Sequence, residues 1–429
     1  MYWANLLHIY QPPGQRKRII EKVVRESYLP ILDILEVRSN VKLSLNICAS
    51  LTEQLVDYGF EEALVRIKNL AEKGQIELVG SAKYHPILPL LPKREVIRQI
   101  KLNENLNQKY FKNSWRPRPR GFFLPELAYD KKTARIIQSL GYEWIVLDEI
   151  VYPPPFDDKM LRIFEKNVSP KGGGRITNRQ EVRFDRDYQI KDLFPGQSKK
   201  PLKVIFRNRG ISNLFFGKWL DSVEKFFYAL KRDKCSDKFL VTAFDGENLG
   251  HHRKHLIRIW QEILDRPEVE SITYSEYLNH VKVEPLHEVE PLASSWSTEA
   301  RDLEKGIPYP LWAHPENELH KLQWQLTNLM VKSIKGCEPD PDFKKARKLL
   351  DKALASDQYW WASARPWWNP GIIERGAKRF VEVVELLKNS LPSEIKNKAG
   401  ELAQKIFNEL ERRKKSGHYK IIEKISDWK

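Results

Sequence analysis

The chain has 429 residues, of which 41% are hydrophobic, so it can bury a large core and is not expected to be disordered. Its formal net charge of +16 comes from scattered basic residues that mostly alternate with acids on predicted helices, which favours a solvated surface over a nucleic-acid site. The first residues predict a strand rather than a signal peptide, and no apolar stretch approaches transmembrane length. The three Cys are too widely spaced for a disulfide framework. We therefore expect a cytoplasmic protein without membrane contact.

Short apolar runs alternate with amphipathic patterns over most of the chain. The runs predict strands near residues 2–8, 42–48, 76–80, 121–124, 143–147, 203–207, 240–244 and 271–274. The patterns between them predict helices over 19–35, 52–73, 93–111, 131–140, 215–231 and 254–264. Strand alternating with helix indicates a parallel sheet, and seven or eight such units in one run favour a closed barrel over an open sheet.

Two stretches depart from this alternation. Residues 151–155 contain three consecutive prolines, which exclude a helix or a central strand. Residues 171–200 are charged and contain three consecutive glycines, and we expect this long loop to act as a lid.

The strand signal disappears from about Tyr309 onward. Long amphipathic helices are predicted there, over residues 316–335, 342–355, 372–389 and 393–415. We therefore predict a barrel domain over 1–290 and a helical C-terminal domain over 291–429, packed on the barrel rim.

Polar residues recur at or just beyond the C-terminal ends of the predicted strands. They are His8, Asn46, His85, Glu126, Asp148, Arg207 and Asp245. In β/α barrels this rim carries the active site, so we expect the functional site there.

Glu126 and Asp245 are the most informative of these residues. Each follows an apolar run, and burying an unpaired carboxylate costs several kcal/mol. Two carboxyl groups close together at one rim are the catalytic groups that cleavage of a glycosidic bond requires. The structural alternative is that Glu126, Asp245 or Glu247 caps the helix that follows it.

Two histidine motifs precede the acids. His8 and Gln11 lie in His8-Ile-Tyr-Gln-Pro-Pro13, where His8 alone could be a core histidine but its rim position favours contact with a substrate. His85 lies in the proline-rich loop 80–92, which is either a plain connector or a rigid wall that orients a ligand.

A tryptophan-rich segment follows near the C-terminal helices. Asp357 precedes Trp360 and Trp361, with Trp367 and Trp368 close behind. Clustered Trp is most often core, but aromatic faces also pack against sugar rings. A core cluster and a sugar subsite therefore both remain open.

These motifs, in this order, resemble the five signature regions of glycoside hydrolase family 57, with the amylopullulanase and α-amylase branch most similar. The resemblance implies an α/β fold, an incomplete TIM-like (β/α)7 barrel with a helical C-terminal region. It also implies a retaining hydrolase of α-glucans that needs no cofactor and no metal.

Individual residues take roles from this resemblance. Glu126 matches the nucleophile and Asp245 the general acid/base, while His8, His85 and Asp357 match positions that hold the sugar in the cleavage subsite. We further expect substrate contacts from a group of polar and aromatic residues. They are Gln11, Arg207, Glu247, Trp296, Trp360 and Trp361.

The sequence departs from the family pattern at three positions. Tyr10 stands where a second His is common, and Asn208 and Asn213 stand where the family carries Asp. These changes affect subsite contacts, and they leave both catalytic carboxylates in place.

Three alternatives belong to other functional classes. A 4-α-glucanotransferase would use the same residues. A metal-dependent carbohydrate deacetylase needs an Asp and two His near the first strands, where His8 is accompanied by no Asp. A noncatalytic glycan-binding protein would be expected to have lost one of the two acids. For a separate metal site, His251 and His255 have suitable spacing, but His252 stands where the metalloprotease pattern requires Glu.

Overall fold

The computed structural model describes residues 1–115, 118–151, 182–191, 193, 200–233, 238–282, 285–365 and 367–417. Most of the predicted lid at 171–200, and residues 152–155 of the proline-rich stretch, lie outside the described residues. The chain divides into two compact units, one made of residues 1–83 and 88–304 and the other of 84–87 and 305–429.

The strands described in the first unit are short and mostly parallel. They are β1 (Tyr2–Ile9), β2 (Leu43–Ile47), β3 (Ile76–Val79), β4 (Gly121–Phe122), β5 (Trp144–Asp148), β6 (Tyr188–Ile190), β7 (Lys203–Arg207), β8 (Phe239–Asp245), β9 (Glu270–Ile272) and β10 (His287–Val289). Strand β1 pairs in parallel with β2 and β8, β2 pairs with β3, and β5 pairs with β4 and β7.

Two junctions close these strands into a barrel. Gly80, just after β3, forms a parallel bridge with Phe122 of β4. Asn208 N, just after β7, donates to Val241 O of β8 at 2.8 Å. The ring therefore runs β1–β2–β3–β4–β5–β7–β8, which confirms the (β/α)7 barrel.

The other three strands lie outside this ring. Strand β9 pairs with residues 2–4 of β1, whereas β2 pairs with residues 6–9 of the same strand. Strand β6 is antiparallel to β7 and pairs with β10.

The barrel strands are buried on both faces, as is usual for parallel strands covered by helices. Trp3, Leu6 and Leu7 of β1 are each 0% exposed. The side chain of Phe244 in β8 stacks on Phe215, with the centroids of the two aromatic rings 4.3 Å apart.

Helices cover the barrel. They are α1 (Lys17–Val23), α2 (Leu29–Val37), α3 (Ala49–Asp57), α4 (Glu61–Glu72), α5 (Lys93–Phe111), α6 (Lys131–Ser139), α7 (Arg209–Leu214), α8 (Val223–Arg232), α9 (Leu256–Leu264), α10 (Tyr274–His280) and α11 (Ala300–Glu304).

Three predicted helices differ from those in the structure. The helix predicted over 19–35 is interrupted by a π-helical turn, Val24–Tyr28, between α1 and α2. The helix predicted over 52–73 is divided into α3 and α4 because Gly59, at φ 81°, adopts the left-handed conformation that ends a helix. The helix predicted over 215–231 begins late, as α8, where the Ser222 side chain caps the backbone N–H of Lys225.

The first unit extends beyond residue 290, where the sequence placed the domain boundary. Ser294 forms an antiparallel bridge with Tyr129, and Trp296 hydrogen-bonds to Glu126. These contacts tie residues 294–296 to the barrel unit.

The regular elements described in the second unit are helices. Its helices are α12 (Glu318–Ser333), α13 (Phe343–Ala353), α14 (Asp357–Trp360), α15 (Pro370–Leu386) and α16 (Ser393–Lys415). Helix α13 packs on α15, and both α12 and α15 pack on α16. In the described parts of both units, every helix is too short or too polar to cross a membrane.

Candidate active site

Glu126 lies on a short turn that follows β4 at the barrel rim. Its backbone has φ 59° and ψ 17°, and Leu127 also has a positive φ of 47°. Each non-glycine residue in this region costs about 1–3 kcal/mol, and such residues cluster at functional sites. The following helix is capped by Asp130, whose carboxylate accepts from Thr133 N at 2.6 Å. Glu126 is therefore not the cap that the structural alternative required.

Trp296 holds the Glu126 carboxylate. The indole Nε1–H donates to Glu126 Oε2 at 2.9 Å, and Trp296 N donates to Glu126 O at 3.1 Å. The Trp296 ring meets Phe123 edge-on, with centroids 5.9 Å apart. One residue thus fixes both the backbone and the side chain of Glu126.

Asp245 ends β8, and its register places it beside His8 of β1. Burial, followed by the nearby Glu247 carboxylate, raises the pKa of Asp245 to about 7, and Arg207 acts in the opposite direction. Asp245 can therefore hold a proton near neutral pH, as a general acid must.

Glu247 lies in a buried hydrogen-bond network two residues after Asp245. Its Oε1 accepts from Tyr28 Oη at 2.5 Å, from Tyr10 N at 3.0 Å and from Gln11 Nε2 at 3.5 Å. Burial raises the pKa of Glu247, and these donors act against that shift. Tyr28 was not predicted from the sequence, because a Tyr within an amphipathic helix has no signal that distinguishes it from core.

His8 is held in one orientation by Asn46 of β2. The Asn46 amide donates to Val79 O at 2.8 Å and to Gly80 O at 3.1 Å, so its oxygen faces His8 Nδ1 at 2.7 Å. Burial lowers the pKa of His8 to about 4, so the ring is neutral at pH 7. Because Nδ1 donates to Asn46, Nε2 is the unprotonated nitrogen and can accept a hydrogen bond.

The imidazole of His8 also links β1 to the Glu126 turn. It stacks on Phe123, with centroids 4.5 Å apart and an interplanar angle of 13°. It lies 6.3 Å from the Trp296 ring. Since His8 is in register with Asp245, these contacts bring the two predicted catalytic acids to one part of the rim.

Arg207, at the end of β7, contacts β5, β8 and Trp296. It pairs with Asp148, with Nη2 and Oδ2 2.7 Å apart, and its Nη1 donates to Ala243 O at 2.9 Å. Its guanidinium lies 5.5 Å from the centre of the Trp296 ring. These contacts place Arg207 beside Trp296. The substrate contact that the sequence predicted for Arg207 stays a prediction.

Asp148 is fully buried beneath this arrangement. Arg209 Nη1 contacts its second oxygen at 3.0 Å. Burial acts to raise the pKa of Asp148, but Arg209 and Arg207 outweigh it and hold the pKa below its ordinary value. The resulting anion lies between two arginines.

All three departures from the family pattern have structural partners. The Asn208 side chain caps α7, accepting from Ile211 N at 2.7 Å. Asn213 Oδ1 accepts from Arg207 Nη2 at 3.2 Å. Tyr10 contributes its backbone N–H to Glu247, and its ring lies 6.2 Å from that of His8.

The histidines spaced for a metal site have separate partners. His251 Nδ1 donates to Glu26 Oε2 at 2.6 Å. His255 Nε2 contacts Leu220 O at 3.0 Å. This arrangement does not favour a metal held between them.

His85 and Asp357 belong to the second unit. His85 has a positive φ of 54°. Its Nδ1 lies 3.1 Å from Ser356 Oγ, and its carbonyl accepts from Ser356 N at 3.1 Å. His85 is thereby fixed against the residue that precedes Asp357.

The second unit also carries a half-buried tryptophan cluster. Trp360 stacks on Trp367 with centroids 4.5 Å apart, and Trp361 meets Trp360 edge-on at 4.9 Å. Trp368 is only 5% exposed and is therefore core. The other three, Trp360, Trp361 and Trp367, are partly exposed.

The chain matches the model of glycosyl hydrolase family 57 over residues 5–290. An α-amylase of Pyrococcus horikoshii is 26% identical over 309 residues, which cover 69% of this chain and 43% of that protein. A 4-α-glucanotransferase of Thermococcus litoralis is 22% identical over 388 residues, which cover 82% and 53%. The chain thus spans about half the length, or less, of these curated relatives.

A solved structure shows the same fold. The crystal structure of a family 57 branching enzyme from Thermococcus kodakaraensis aligns with a TM-score of 0.67 at 16% identity and covers 94% of each chain. Because the family model matches more than half of the residues, including both rim carboxylates, the chain belongs to glycosyl hydrolase family 57.

Proposed function

We propose that this chain hydrolyses α-glucans with retention of anomeric configuration, with Glu126 as nucleophile and Asp245 as general acid/base. One observation carries this proposal, namely that two carboxyl groups of one rim occupy opposite environments. Glu126 accepts an indole N–H, which suits an anion. The pKa of Asp245, raised to about 7 by burial and by Glu247, suits a proton donor. Two carboxyl groups in different environments are the pattern of a glycosidase nucleophile and its acid.

The first step forms a glycosyl-enzyme. Glu126 attacks the anomeric carbon while Asp245 gives its proton to the glycosidic oxygen, and the C–O bond to the leaving sugar breaks. The leaving sugar departs as a neutral alcohol. The positively charged character that develops on the reacting ring is balanced by the Glu126 carboxylate.

The second step releases the bound sugar. Asp245, now a carboxylate, takes a proton from water, and the resulting hydroxyl attacks the anomeric carbon. The ester to Glu126 breaks, so both carboxyl groups return to their starting states. Neutral His8 supports substrate orientation, because its Nε2 can accept a hydrogen bond from a sugar hydroxyl.

The substrate class is supported by the relatives. The Pyrococcus horikoshii protein is an α-amylase and the Thermococcus litoralis protein a 4-α-glucanotransferase. The second name supports an alternative in which a sugar hydroxyl, rather than water, intercepts the glycosyl-enzyme. The same residues serve both reactions, since only the acceptor differs.

The test is incubation with maltoheptaose and with pullulan, followed by product analysis by chain length and by ¹H NMR of the first anomer formed. We expect Glu126→Gln and Asp245→Asn to lose at least about a hundredfold in kcat. Glu143→Gln is the matched control, since Glu143 is 46% exposed and pairs only with Arg120 among its described ion-pair contacts. It should keep full activity.

The outcomes separate the alternatives. Shorter products alone indicate a hydrolase, and longer and shorter products together indicate a transferase. Azide should rescue Glu126→Ala and yield a β-glycosyl azide, because azide then attacks from the side that the nucleophile vacated. An initially β-configured product from the native protein would contradict retention. No cleavage of either glucan, together with release of acetate from an acetylated oligosaccharide that is lost on chelation, would instead support the metal-dependent deacetylase.

A further inference from the structure

The π-helical turn Val24–Tyr28 is the feature that the proposed mechanism leaves unused. It is defined by Leu29 N donating to Val24 O, a bond five residues back rather than four. Single π-helical turns inside α-helices are rare and occur frequently at functional sites. This turn lies between α1 and α2, far in sequence from the acids of the rim.

Three consecutive residues of the turn contact the loop that carries Asp245. Ser27 Oγ donates to Gly246 O at 2.8 Å, across 219 residues of sequence. Tyr28 Oη donates to Glu247 Oε1 at 2.5 Å. Glu26 Oε2 accepts from His251 Nδ1 at 2.6 Å. The turn thus binds the loop at its beginning and at its end.

The two glycines of the loop, Gly246 and Gly250, have no space for a Cβ atom. A Cβ on Gly250, whose φ is +101°, would lie 1.9 Å from Glu26 O. A Cβ on Gly246 would lie 2.6 Å from Ile9 Cγ2 of β1. Ser27 is 0% exposed and Tyr28 is 3% exposed. The loop is therefore enclosed between the turn and β1, and its position depends on both.

Among the residues that the structure describes, the charged and titratable groups identified around Asp245 come from four elements. Glu247 lies on the same loop, Arg207 on β7, Tyr28 on the π-helical turn, and His8 is level with it on β1. His8 is neutral at pH 7 because burial lowers its pKa to about 4. Of the charged groups, Glu247 raises the pKa of Asp245 and Arg207 lowers it.

The Tyr28 hydroxyl favours the anionic form of Glu247. Burial raises the pKa of Glu247, and the hydrogen bond from Tyr28 is the first of the donors that lower it again. The pKa of Tyr28 itself lies well above its ordinary value, because of burial and then of Glu247, so Tyr28 remains a donor. An anionic Glu247 in turn favours the protonated form of its neighbour Asp245.

We infer that Tyr28 is a positioning residue for the acid/base step, because the π-helical turn places its hydroxyl on the Glu247 carboxylate, where the hydrogen bond favours the charged form of Glu247 beside Asp245. The inference rests on the proposed function, in which Asp245 is the proton donor. It assigns a reason for the π-helical geometry, which directs Glu26, Ser27 and Tyr28 toward one loop.

The test compares Tyr28→Phe with the native protein in the pH dependence of kcat/KM on maltoheptaose. Loss of the hydroxyl makes Glu247 easier to protonate, so less negative charge faces Asp245. We expect the alkaline limb to move to lower pH by at least about half a unit, with KM changed less than twofold. Tyr277→Phe is the matched control, since Tyr277 is buried and its hydroxyl donates to Phe184 O at 3.0 Å. It should leave the limb in place.

Glu247→Gln provides a second route to the same measurement. It removes the charge and keeps the shape, so its alkaline limb should also move down, and the double variant with Tyr28→Phe should move no further. If Tyr28→Phe does not fold, the pH profile of kcat/KM for Glu247→Gln tests the inference instead. An alkaline limb that stays in place or moves to higher pH overturns the inference. A purely structural role for Tyr28 would lower stability and leave the limb unchanged.

Asp245→Asn separates failure of this inference from failure of the proposed function. If that variant is inactive while Tyr28→Phe keeps the native limb, only the inference is wrong. If Asp245→Asn keeps native activity, the proposed function is wrong whatever Tyr28→Phe does.

Discussion

Asp148 offers a stability test of the support beneath the active site. Its side chain is 0% exposed and lies between Arg207, which is 4% exposed, and Arg209, which is 18% exposed. Asp148→Asn keeps the shape and removes the charge that compensates both arginines. Breaking a buried ion pair from one side costs about 3–5 kcal/mol. The partial exposure of Arg209 places the expected loss near the lower figure, at about 3 kcal/mol.

The assay is urea and thermal unfolding at pH 7, with Asp33→Asn as control. Asp33 is 65% exposed and pairs with Arg66 at 2.6 Å, so its replacement should cost less than about 1 kcal/mol. A loss of about 3 kcal/mol should lower the Tm of the barrel unit by roughly 6 °C or more. If Asp148→Asn costs no more than Asp33→Asn, the reasoning about this buried ion pair is wrong.

The same variant has a defined pH dependence. Because the folded-state pKa of Asp148 lies below its ordinary value of 3.8, its contribution is fully present above that value and is lost as pH falls through the folded-state pKa. The stability difference between the native protein and Asp148→Asn should therefore be constant from pH 6 to 8 and shrink in acid. A difference that grows in acid would contradict the assignment.

Three further predictions concern the rim and the second unit. The alkaline limb of the native kcat/KM profile should have its midpoint near pH 7, because Asp245, whose pKa is about 7, must be protonated to act as an acid; a midpoint above pH 9 would contradict this. Gly250→Ala should cost about 1–3 kcal/mol in thermal unfolding and reduce kcat, since its φ is +101° and the added Cβ would lie 1.9 Å from Glu26 O. Trp360→Ala should raise KM for long glucans several-fold with little change in kcat, since the half-buried Trp360 can stack on a sugar ring. The control is Trp368→Phe, which should leave KM unchanged and lower the Tm because Trp368 is buried.

Much of the barrel could be predicted because its strands are covered on both faces. Buried parallel strands have continuous apolar sequences, and a polar residue that ends such a run, such as Glu126 or Asp245, is conspicuous. The helical second unit could be predicted for a related reason, since the apolar period changes from strand to helix beyond Tyr309.

The remaining features depend on contacts distant in sequence. The residues Val24–Tyr28 continue the apolar period of the helices on either side, so the sequence does not distinguish the turn. The structure does, by the bond from Leu29 N to Val24 O and by contacts with Gly246, Glu247 and His251. Trp296 lies beyond the predicted boundary at 290, and its contacts with Glu126, Phe123 and Arg207 place it in the barrel unit. Local patterns contain no information on such pairings.

The pairing of β1 has a consequence for how this chain folds. One edge of β1 pairs with β2 soon after it in the chain, but its other edge pairs with β8, where Tyr2 is level with Phe239. Strand β1 is almost fully buried in the folded chain. During synthesis, its second edge stays unpaired until more than two hundred further residues have emerged from the ribosome, since the Trp3–Thr242 contact spans 239 residues. Such long-range pairing slows folding and leaves a strand edge open to association with other chains. We therefore expect early-terminated fragments that end before β8 to aggregate or to be bound by chaperones, whereas the full chain closes its ring in a late step.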